Sequence, residues 1–295
     1  MTPPEESPAL AQPPAESPAP VPVPPPLAVP GDLAASLVFL RHGQSVWLAE
    51  GRFQGRADTP LSALGRRQAA LAGARLATPD APPRLPVPAG EPVAIVHSPL
   101  ARTRETAEAV AAAFAAAGRP APPLRPEPGI AEIGQGAWEG LLQREVEERY
   151  PAEIAGWRRD PVRVHAPGGE SLPEVDARVR AALAGVLADV AGAGRGGPAG
   201  TPSYYDPHAG PWAILVGHDG AFKVALLALL GLPLERFWSF TQATAGIAVI
   251  DLRNGRAVVR AWNRTEHLAA LEAEADDAER LSEELAADRN QRGAL

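Results

Sequence analysis

The sequence predicts an α/β fold: a mixed, mostly parallel central sheet flanked by helices, in a single domain. Short apolar runs bounded by Gly, Pro or polar residues alternate with longer segments of helical periodicity, the order typical of a parallel sheet covered on both faces. Near the end of this pattern, two strand-like runs flank an Asn-Gly pair, which indicates one antiparallel hairpin. With 295 residues, 45% of them hydrophobic, the chain can bury one sizeable core.

Three apolar runs predict buried strands at residues 36–40, 93–96 and 212–216. Two further runs, at residues 246–252 and 256–262, predict the two arms of the hairpin. Ligands bind beyond the carboxyl ends of the strands in open α/β sheets, so the residues that follow these runs are the first candidates for a functional site.

Apolar residues at helical spacing predict five helices, at residues 62–77, 100–117, 139–150, 172–190 and 221–230. At the start of the fourth helix, Ser171 and Glu174 have the spacing of a capping box. Residues 78–90 contain five prolines and predict a surface loop. Residues 192–210 are rich in Gly and Pro and predict a loop insertion, for which a plain connection and a substrate lid are both open.

The chain divides into a disordered Pro/Ala-rich tail at residues 1–35, a folded domain at residues 36–268 and an acidic helix or tail at residues 269–295. The first 30 residues cannot bury enough apolar surface to fold, and they serve either as a dispensable tail or as a docking segment. Residues 267–288 carry Leu and Ala at helical spacing. This helix packs against its own domain or joins two copies in a homodimer.

Composition excludes several classes of function. The chain has no cysteine, so it has no disulfide framework, zinc-thiolate site or cysteine nucleophile. Net charge is −7, of which residues 266–295 carry −6, and no basic face for nucleic acid is evident. The sequence shows neither a signal peptide nor a run long enough to cross a membrane, which predicts a cytoplasmic protein. The six histidines show no pair at i, i+4 and no acidic cluster, so no metal or other cofactor is predicted.

The most informative motif is Arg41-His42-Gly43, directly after the first predicted strand. Three other motifs follow it, each beside a strand end or a helix start. They are Ser98-Pro99-Leu100-Ala101-Arg102, Glu132 ahead of Gly136-Ala137-Trp138-Glu139-Gly140, and Gly217-His218-Asp219-Gly220. Together they supply two histidines, two arginines and a carboxylate, a set that suits phosphoryl transfer through a histidine.

Individual residue types indicate roles in such a transfer. Arg41 and Arg102 are candidate phosphate clamps, because a guanidinium group binds phosphate oxygens with a fork-like geometry. His218 lies between glycines at the start of a helix, where anions bind. His97 could line the edge of the pocket, but a structural role is the preferred interpretation.

With these motifs the chain resembles the histidine phosphatase superfamily, in the branch that holds cofactor-dependent phosphoglycerate mutases and related phosphatases. The resemblance covers about residues 36–268. The motifs that carry it are Arg41-His42-Gly43-Gln44-Ser45, Gly51-Arg52-Phe53-Gln54-Gly55, Asp58, Pro60-Leu61-Ser62, Gly65 and Gly168-Gly169-Glu170-Ser171-Leu172.

The resemblance implies a phosphoglycerate mutase-like fold and a catalytic set. His42 would be the nucleophile that forms a phosphohistidine, and His218 would stabilise the transferred group beside it. Glu132 would be the general acid and then the base, with Glu139 as its rival. Arg41, Arg102, Gln54 and Gly55 would bind the phosphate.

Two positions depart from the family pattern. Leu48 stands where members commonly carry an Asn that contacts the phosphate, and Gln44, Gln54 or a backbone amide could compensate. Asp219 stands where a small or neutral residue is usual. If its carboxylate faces the pocket, it would repel substrates that carry a second anionic group.

The resemblance favours a histidine acid-type phosphatase, a phosphomonoester hydrolase acting on a small phosphorylated metabolite. Mutases of the family have a long basic segment after the catalytic glutamate, whereas residues 139–168 of this chain offer five arginines and no lysine. The alternatives are a cofactor-dependent phosphoglycerate mutase and a catalytically inactive phosphate-binding or scaffold protein. The physiological ester is open among sugar phosphates, phosphoglycerates and the nucleotide-loop phosphate of cobalamin synthesis.

Overall fold

The structure, a computed structural model, describes residues 25–194, 210–271, 273 and 274. Within these residues the chain forms one six-stranded sheet with helices on both faces, which confirms the predicted α/β class. The strands are β1 (Ala35–Arg41), β2 (Ile95–His97), β3 (Leu124–Pro126), β4 (Trp212–Gly217), β5 (Ile247–Arg253) and β6 (Arg256–Arg264). The helices are α1 (Val46–Ala49), α2 (Ala63–Ala77), α3 (Ala101–Ala116), α4 (Gln143–Arg149), α5 (Pro151–Arg159), α6 (Leu172–Gly194) and α7 (Asp219–Leu230).

The sheet is mixed and mostly parallel, with the strand order β3-β2-β4-β1-β5-β6. The first four strands of that order are parallel, and the β5–β6 hairpin adds to β1 in the antiparallel direction. Arg41 pairs with Gly217, and His97 pairs with Val216. Strands β1, β2 and β4 therefore end at the same edge, where the candidate residues follow them.

The sheet separates two hydrophobic cores, because successive side chains of a strand point to opposite faces. In β1, Leu37 and Phe39 lie in the core shared with α6 and α7, and Phe39 stacks on Phe222 with ring centroids 4.7 Å apart. Val38 and Leu40 lie in the other core, with α2 and α3. This burial on both faces explains why the strand is a continuous apolar run.

The structure contains elements that the sequence pattern did not reveal. Strand β3 has three residues at the sheet edge, two of them exposed, so it lacks an apolar pattern. The predicted helix at residues 139–150 was wrong in its start: the chain turns at Gly140, with φ of +82°, and α4 begins at Gln143. Pro151, at the first position of α5, begins a separate helix, as proline at that position favours.

The folded region begins before the predicted domain start at residue 36. Val29 and Leu33 are buried in the core, and the Leu27 N–H donates a hydrogen bond of 2.8 Å to the Ala228 carbonyl of α7. Residues 1–24 of the predicted tail lie outside the described residues.

Two other predicted segments are described only in part. The predicted insertion at residues 192–210 lies outside the described residues except at its two ends. The predicted helix at residues 267–288 is described to residue 274, where Leu268 and Leu271 are buried in the core beside α2 and Glu274 forms an ion pair of 2.7 Å with Arg67. The described start of this segment therefore packs against its own domain.

Candidate functional site

A cavity of about 300 Å³ lies at the carboxyl edge of β1 and β4. Predicted site residues from four distant segments of the sequence meet there. The lining consists of Arg41, His42, Phe53, Gln54, Gly55, Arg102, Glu132, Ile133, Gln135, Trp157, Asp219, Gly220, Lys223, Phe237 and Trp238. Six of the seven predicted site residues are in this set, and the ring of the seventh, His218, lies beside that of His42.

The structure fixes the tautomer of His42. Its Nδ1 lies 2.6 Å from the Gly43 carbonyl oxygen, and a carbonyl only accepts, so Nδ1 carries the hydrogen and donates it. Nε2 is then the unprotonated nitrogen of the neutral ring. Gly43 is required by packing: a Cβ there would lie 2.3 Å from the Gly65 carbonyl oxygen. This close approach holds the turn that follows β1 against the start of α2.

His218 lies beside His42, with ring centroids 5.1 Å apart and the planes inclined by 64°. It is fully buried, and its Nε2 lies 2.9 Å from the Ser98 hydroxyl oxygen. Its Nδ1 is buried with no hydrogen-bond partner among the described residues. A buried polar atom without a partner is costly, so Nδ1 is available to a ligand that enters beside His42.

Two guanidinium groups supply positive charge to the cavity. Arg102 is fully buried, and it donates hydrogen bonds of 2.8 Å to the carbonyl oxygens of Gly55 and Ala57. Arg41 donates to the carbonyl oxygen of Gln242. Among the described residues no carboxylate forms an ion pair with either arginine, so both charges are held by neutral carbonyl groups. Each guanidinium also has a buried Nε without a partner among those residues.

The two arginines and burial also set the protonation of the histidines. Burial lowers the pKa of His42 well below its ordinary value, and the charges of Arg102 and Arg41 lower it further. Burial likewise lowers the pKa of His218, with additional effects from Arg102, His42 and Arg41. Both imidazoles are therefore neutral at neutral pH, which is the state a histidine needs in order to attack phosphorus through a ring nitrogen.

Glu132 reaches the cavity from the loop after β3. Its Oε1 accepts hydrogen bonds from the N–H groups of Ile133, at 2.9 Å, and Ala221, at 3.2 Å, and its Oε2 lies 3.4 Å from the Gly220 nitrogen. The carboxyl group of Glu132 thus lies at the N-terminus of α7, within hydrogen-bond reach of its first amides. A Cβ on Gly220 would lie 2.6 Å from Oε1, so only glycine permits this approach.

Arg178 on α6 positions the loop that carries Glu132, and sequence analysis gave it no role. It donates to the carbonyl oxygens of Gly129, Ala131 and Glu132 at 2.7 to 3.1 Å. Glu170 pairs with Arg178 at 2.8 Å and accepts a hydrogen bond from the Gly134 N–H. Through Glu170, the Gly-Gly-Glu-Ser motif therefore helps to hold the Glu132 loop in place. This motif was the signal in the sequence from which that role could have been found.

Glu139, the rival acid, lies outside the cavity lining. Its Oε1 accepts hydrogen bonds of 2.9 Å from the backbone N–H groups of Arg56 and Gln135. Glu139 therefore fixes the backbone turn around Gly55, where φ is +51° and a Cβ would lie 2.1 Å from the same oxygen. The same turn positions the Gly55 carbonyl to accept a hydrogen bond from Arg102.

Gln54 lines the cavity, and its Oε1 accepts hydrogen bonds from the hydroxyl groups of Ser45 and Thr59. Its Nε2 has no partner among the described residues. Leu48 lies on α1 outside the cavity lining, and its N–H is capped by the Ser45 hydroxyl at 3.1 Å. Gln54 therefore presents an amide group to the cavity, whereas Leu48 does not reach it.

Of the other residues discussed from the sequence, Asp219 lines the cavity and His97 does not. His97 lies outside the lining, with its Nδ1 2.8 Å from the Ser98 carbonyl oxygen. Asp219 does line the cavity, but its Oδ2 lies 2.6 Å from the Nζ of Lys223. Its charge is therefore balanced by Lys223, which no motif in the sequence marks as a site residue.

Within the part of the chain that the structure describes, no group of three or more His, Asp or Glu side chains could hold a metal ion. In the same ranges every helix is too short or too polar to span a membrane.

Comparison with known proteins gives concordant results. The family model of the histidine phosphatase superfamily (branch 1) matches residues 37–265. Phosphoserine phosphatase 1 of Hydrogenobacter thermophilus is 32% identical over 243 residues, which cover 82% of this chain and 98% of that protein. The probable phosphoglycerate mutase GpmB of Salmonella paratyphi C is 28% identical over 227 residues, which cover 76% of this chain and 87% of that protein.

Among solved structures, that of a mycobacterial glucosyl-3-phosphoglycerate phosphatase in complex with VO3 matches with a TM-score of 0.62 and 28% identity. The match covers 78% of this chain and 99% of the mycobacterial chain. The chain therefore spans nearly the whole length of these similar proteins.

Proposed function

The chain belongs to branch 1 of the histidine phosphatase superfamily, and we propose on this basis that it is a phosphomonoester hydrolase in which His42 accepts the phosphoryl group of a small phosphorylated metabolite. The observation that carries the proposal is the environment of His42. Its unprotonated Nε2 belongs to a buried, neutral ring in a cavity where two guanidinium groups have no carboxylate partner among the described residues. A phosphate dianion supplies the charge that these two cations lack.

In the first step the His42 Nε2 attacks phosphorus, and the bond from phosphorus to the alcohol oxygen breaks. Arg41 and Arg102 hold the nonbridging oxygens, together with the Nδ1 of His218 and the amide of Gln54 beside Gly55. Glu132 donates a proton to the departing oxygen, so that an alcohol leaves instead of an alkoxide. The product is a phosphohistidine on His42.

In the second step water attacks the phosphohistidine. Glu132, now a carboxylate, takes a proton from this water, and the bond from phosphorus to Nε2 breaks. Inorganic phosphate is released and His42 returns to its neutral form. Since the two arginines supply the positive charge around the oxygens and a side chain is the nucleophile, the proposed reaction requires neither a metal ion nor another cofactor.

Phosphoglycerate mutase activity is the second candidate, because a probable mutase is among the similar proteins. The test uses 3-phosphoglycerate and a panel of other small phosphomonoesters, with EDTA present throughout. We expect inorganic phosphate to accumulate, with at least one ester preferred. Conversion of 3-phosphoglycerate to its 2-isomer without free phosphate would establish the mutase, and no reaction with any ester would favour the inactive phosphate-binding protein.

The acid-type subclass is supported by the lowered pKa of His42. A nucleophilic imidazole must be neutral, and burial together with the two arginines keeps His42 neutral well below pH 6.5. The kcat/KM for an ester reports ionisations of the free enzyme. We therefore expect kcat/KM, corrected for ionisation of the substrate, to stay constant as the pH falls from 7.5 to 5.5. In particular, it should show no protonation step with a midpoint near pH 6.5. A tenfold fall over that interval, following one protonation, would contradict the assignment.

We place this enzyme in the cytoplasm, without a nucleic-acid partner. The domain is proposed to comprise residues 36–268 together with the preceding residues 27–35, which pack on its core, with a dispensable tail at residues 1–24 and an acidic segment at residues 269–295. A homodimer through the acidic segment is proposed only for its part beyond residue 274, because Leu268 and Leu271 already pack against the domain.

A further inference from the structure

A second charged group lies in the cavity, apart from the proposed phosphate-binding residues. It is the ion pair of Asp219 and Lys223, one turn apart at the start of α7, with Nζ and Oδ2 2.6 Å apart. Lys223 is the only lysine in the 295 residues. The chain, whose other positively charged side chains are arginines, thus places its single lysine in this cavity.

The pair is held firmly in place. The remaining oxygen of Asp219, Oδ1, accepts a hydrogen bond of 3.0 Å from the Gln242 N–H. Lys223 is 5% exposed, and its ammonium lies 5.2 Å from the ring centroid of Phe237 and 5.0 Å from that of Trp238. The carboxylate balances the charge of the ammonium, and the two aromatic rings attract it and help to fix its position.

We propose that the Asp219–Lys223 pair determines the substrate class of this phosphatase, by making the outer part of the cavity electrically neutral. This inference rests on the proposed function. The outer part then accepts the uncharged alcohol portion of a phosphate ester and discriminates against esters that carry a second anionic group.

The charges of the cavity lining support this division. Five lining residues are charged: Arg41, Arg102, Glu132, Asp219 and Lys223. The two arginines are engaged by the reacting phosphate. Among the lining residues that the structure describes, a carboxylate elsewhere on the substrate would find only one remaining cation, the buried and already paired Lys223, and it would lie close to the Asp219 oxygens. Like charges in such proximity are unfavourable, and a desolvated anion without a partner is costly.

The wall around the pair fits an uncharged group with a flat face. Trp157, Phe237 and Trp238 line this part of the cavity, with neighbouring ring centroids 4.8 to 5.6 Å apart. Trp157 is buried, whereas Trp238 is 47% exposed, an unusual state for so large an apolar side chain. An exposed indole beside the cavity offers its face to a sugar ring or an aryl group.

The test compares two esters that differ in one group, glycerol 3-phosphate and 3-phosphoglycerate, by the ratio of their kcat/KM values for phosphate release. We expect the unaltered protein to favour glycerol 3-phosphate. Asp219→Asn keeps the Oδ1 acceptor but frees the ammonium, and it should shift the ratio toward 3-phosphoglycerate by about tenfold. Lys223→Met keeps the apolar stem but leaves Asp219 unpaired, and it should shift the ratio the other way by a similar factor.

Glu108→Gln is the matched control, because Glu108 belongs to another i, i+4 ion pair, with Arg104 on the exposed side of α3. It changes the net charge as Asp219→Asn does, and its ratio should equal that of the unaltered protein. A role of the pair in stability alone would lower activity on both esters equally and leave the ratio fixed.

The outcomes separate this inference from the function on which it rests. Phosphate release with unchanged ratios in both variants, or with ratios shifted in the same direction, overturns the proposed specificity and leaves the phosphatase standing. If the unaltered protein prefers 3-phosphoglycerate, the proposed specificity is overturned as well. Absence of phosphate release from every ester refutes the proposed function itself.

Discussion

Replacing His42 with alanine should reduce phosphate release by on the order of 10⁴-fold or more, because the variant lacks the nucleophile and water would have to attack the ester directly. The remaining cavity would still bind the ester, since Arg41, Arg102 and Gln54 are unchanged. The loss should therefore appear in kcat far more than in the affinity for the substrate. Steady-state kinetics on the preferred ester, with binding measured by calorimetry, checks both parts.

A phosphoenzyme measurement makes the same prediction specific to His42. Brief incubation with a ³²P-labelled ester, followed by an alkaline quench, should label the unaltered protein and leave His42→Ala unlabelled. His165→Ala is the matched control: its Nδ1 also lies near the carbonyl of the next residue, at 3.0 Å, but it is outside the cavity lining. This control should keep both label and activity. Label that persists in His42→Ala would assign the nucleophile to another residue.

The fold was accessible from the sequence because its central strands are buried on both faces. In β1 and β4 every residue, except Arg41 at the end of β1, is buried, so these strands appear as uninterrupted apolar runs. The hairpin was equally clear, since Asn254 and Gly255 both adopt positive φ at the turn. Strand β3 could not be recognised in this way, because two of its three residues are exposed and the sheet edge imposes no alternation.

Residues of the proposed site were predictable from the sequence where the residue type itself indicates the chemistry. His42, His218, Arg41 and Arg102 were each identified from residue type at a strand end or helix start. Choosing between Glu132 and Glu139 required the family resemblance, since either acid follows the same segment. The structure separates them by placing Glu132 against the first amides of α7 and Glu139 on the backbone turn at Gly55.

Residues that act through contacts between distant segments could not be predicted. Arg178 reaches carbonyl groups 46 to 49 positions earlier in the chain, and no local pattern marks such a partner. Asp219 shows the same difficulty. From the sequence alone, Asp219 indicated an unpaired negative charge that would repel anionic substrates. The structure shows instead that Lys223, at i, i+4 on the same helix, forms an ion pair with it.

The second large effect is expected from Glu132→Gln, and its size should depend on the leaving group. An alkyl phosphate releases a basic alkoxide that needs a proton, so kcat/KM for such an ester should fall by about 10² to 10⁴-fold. A p-nitrophenyl ester releases a weakly basic phenolate, so its first step should be far less affected. Steady-state comparison of the two esters measures the difference directly.

The second step gives the same variant a distinct kinetic signature. With no carboxylate to accept a proton from water, the phosphohistidine should hydrolyse slowly and accumulate. Rapid mixing with p-nitrophenyl phosphate should then give a burst of about one phenolate per active site, followed by slow turnover. Glu139→Gln, which retains an oxygen acceptor for the amides of Arg56 and Gln135, should show neither a burst nor a dependence on the leaving group. If instead Glu139→Gln gave the burst and Glu132→Gln behaved like the unaltered protein, the proton donor would be Glu139, and the approach of Glu132 to α7 would serve only to join the loop to the helix.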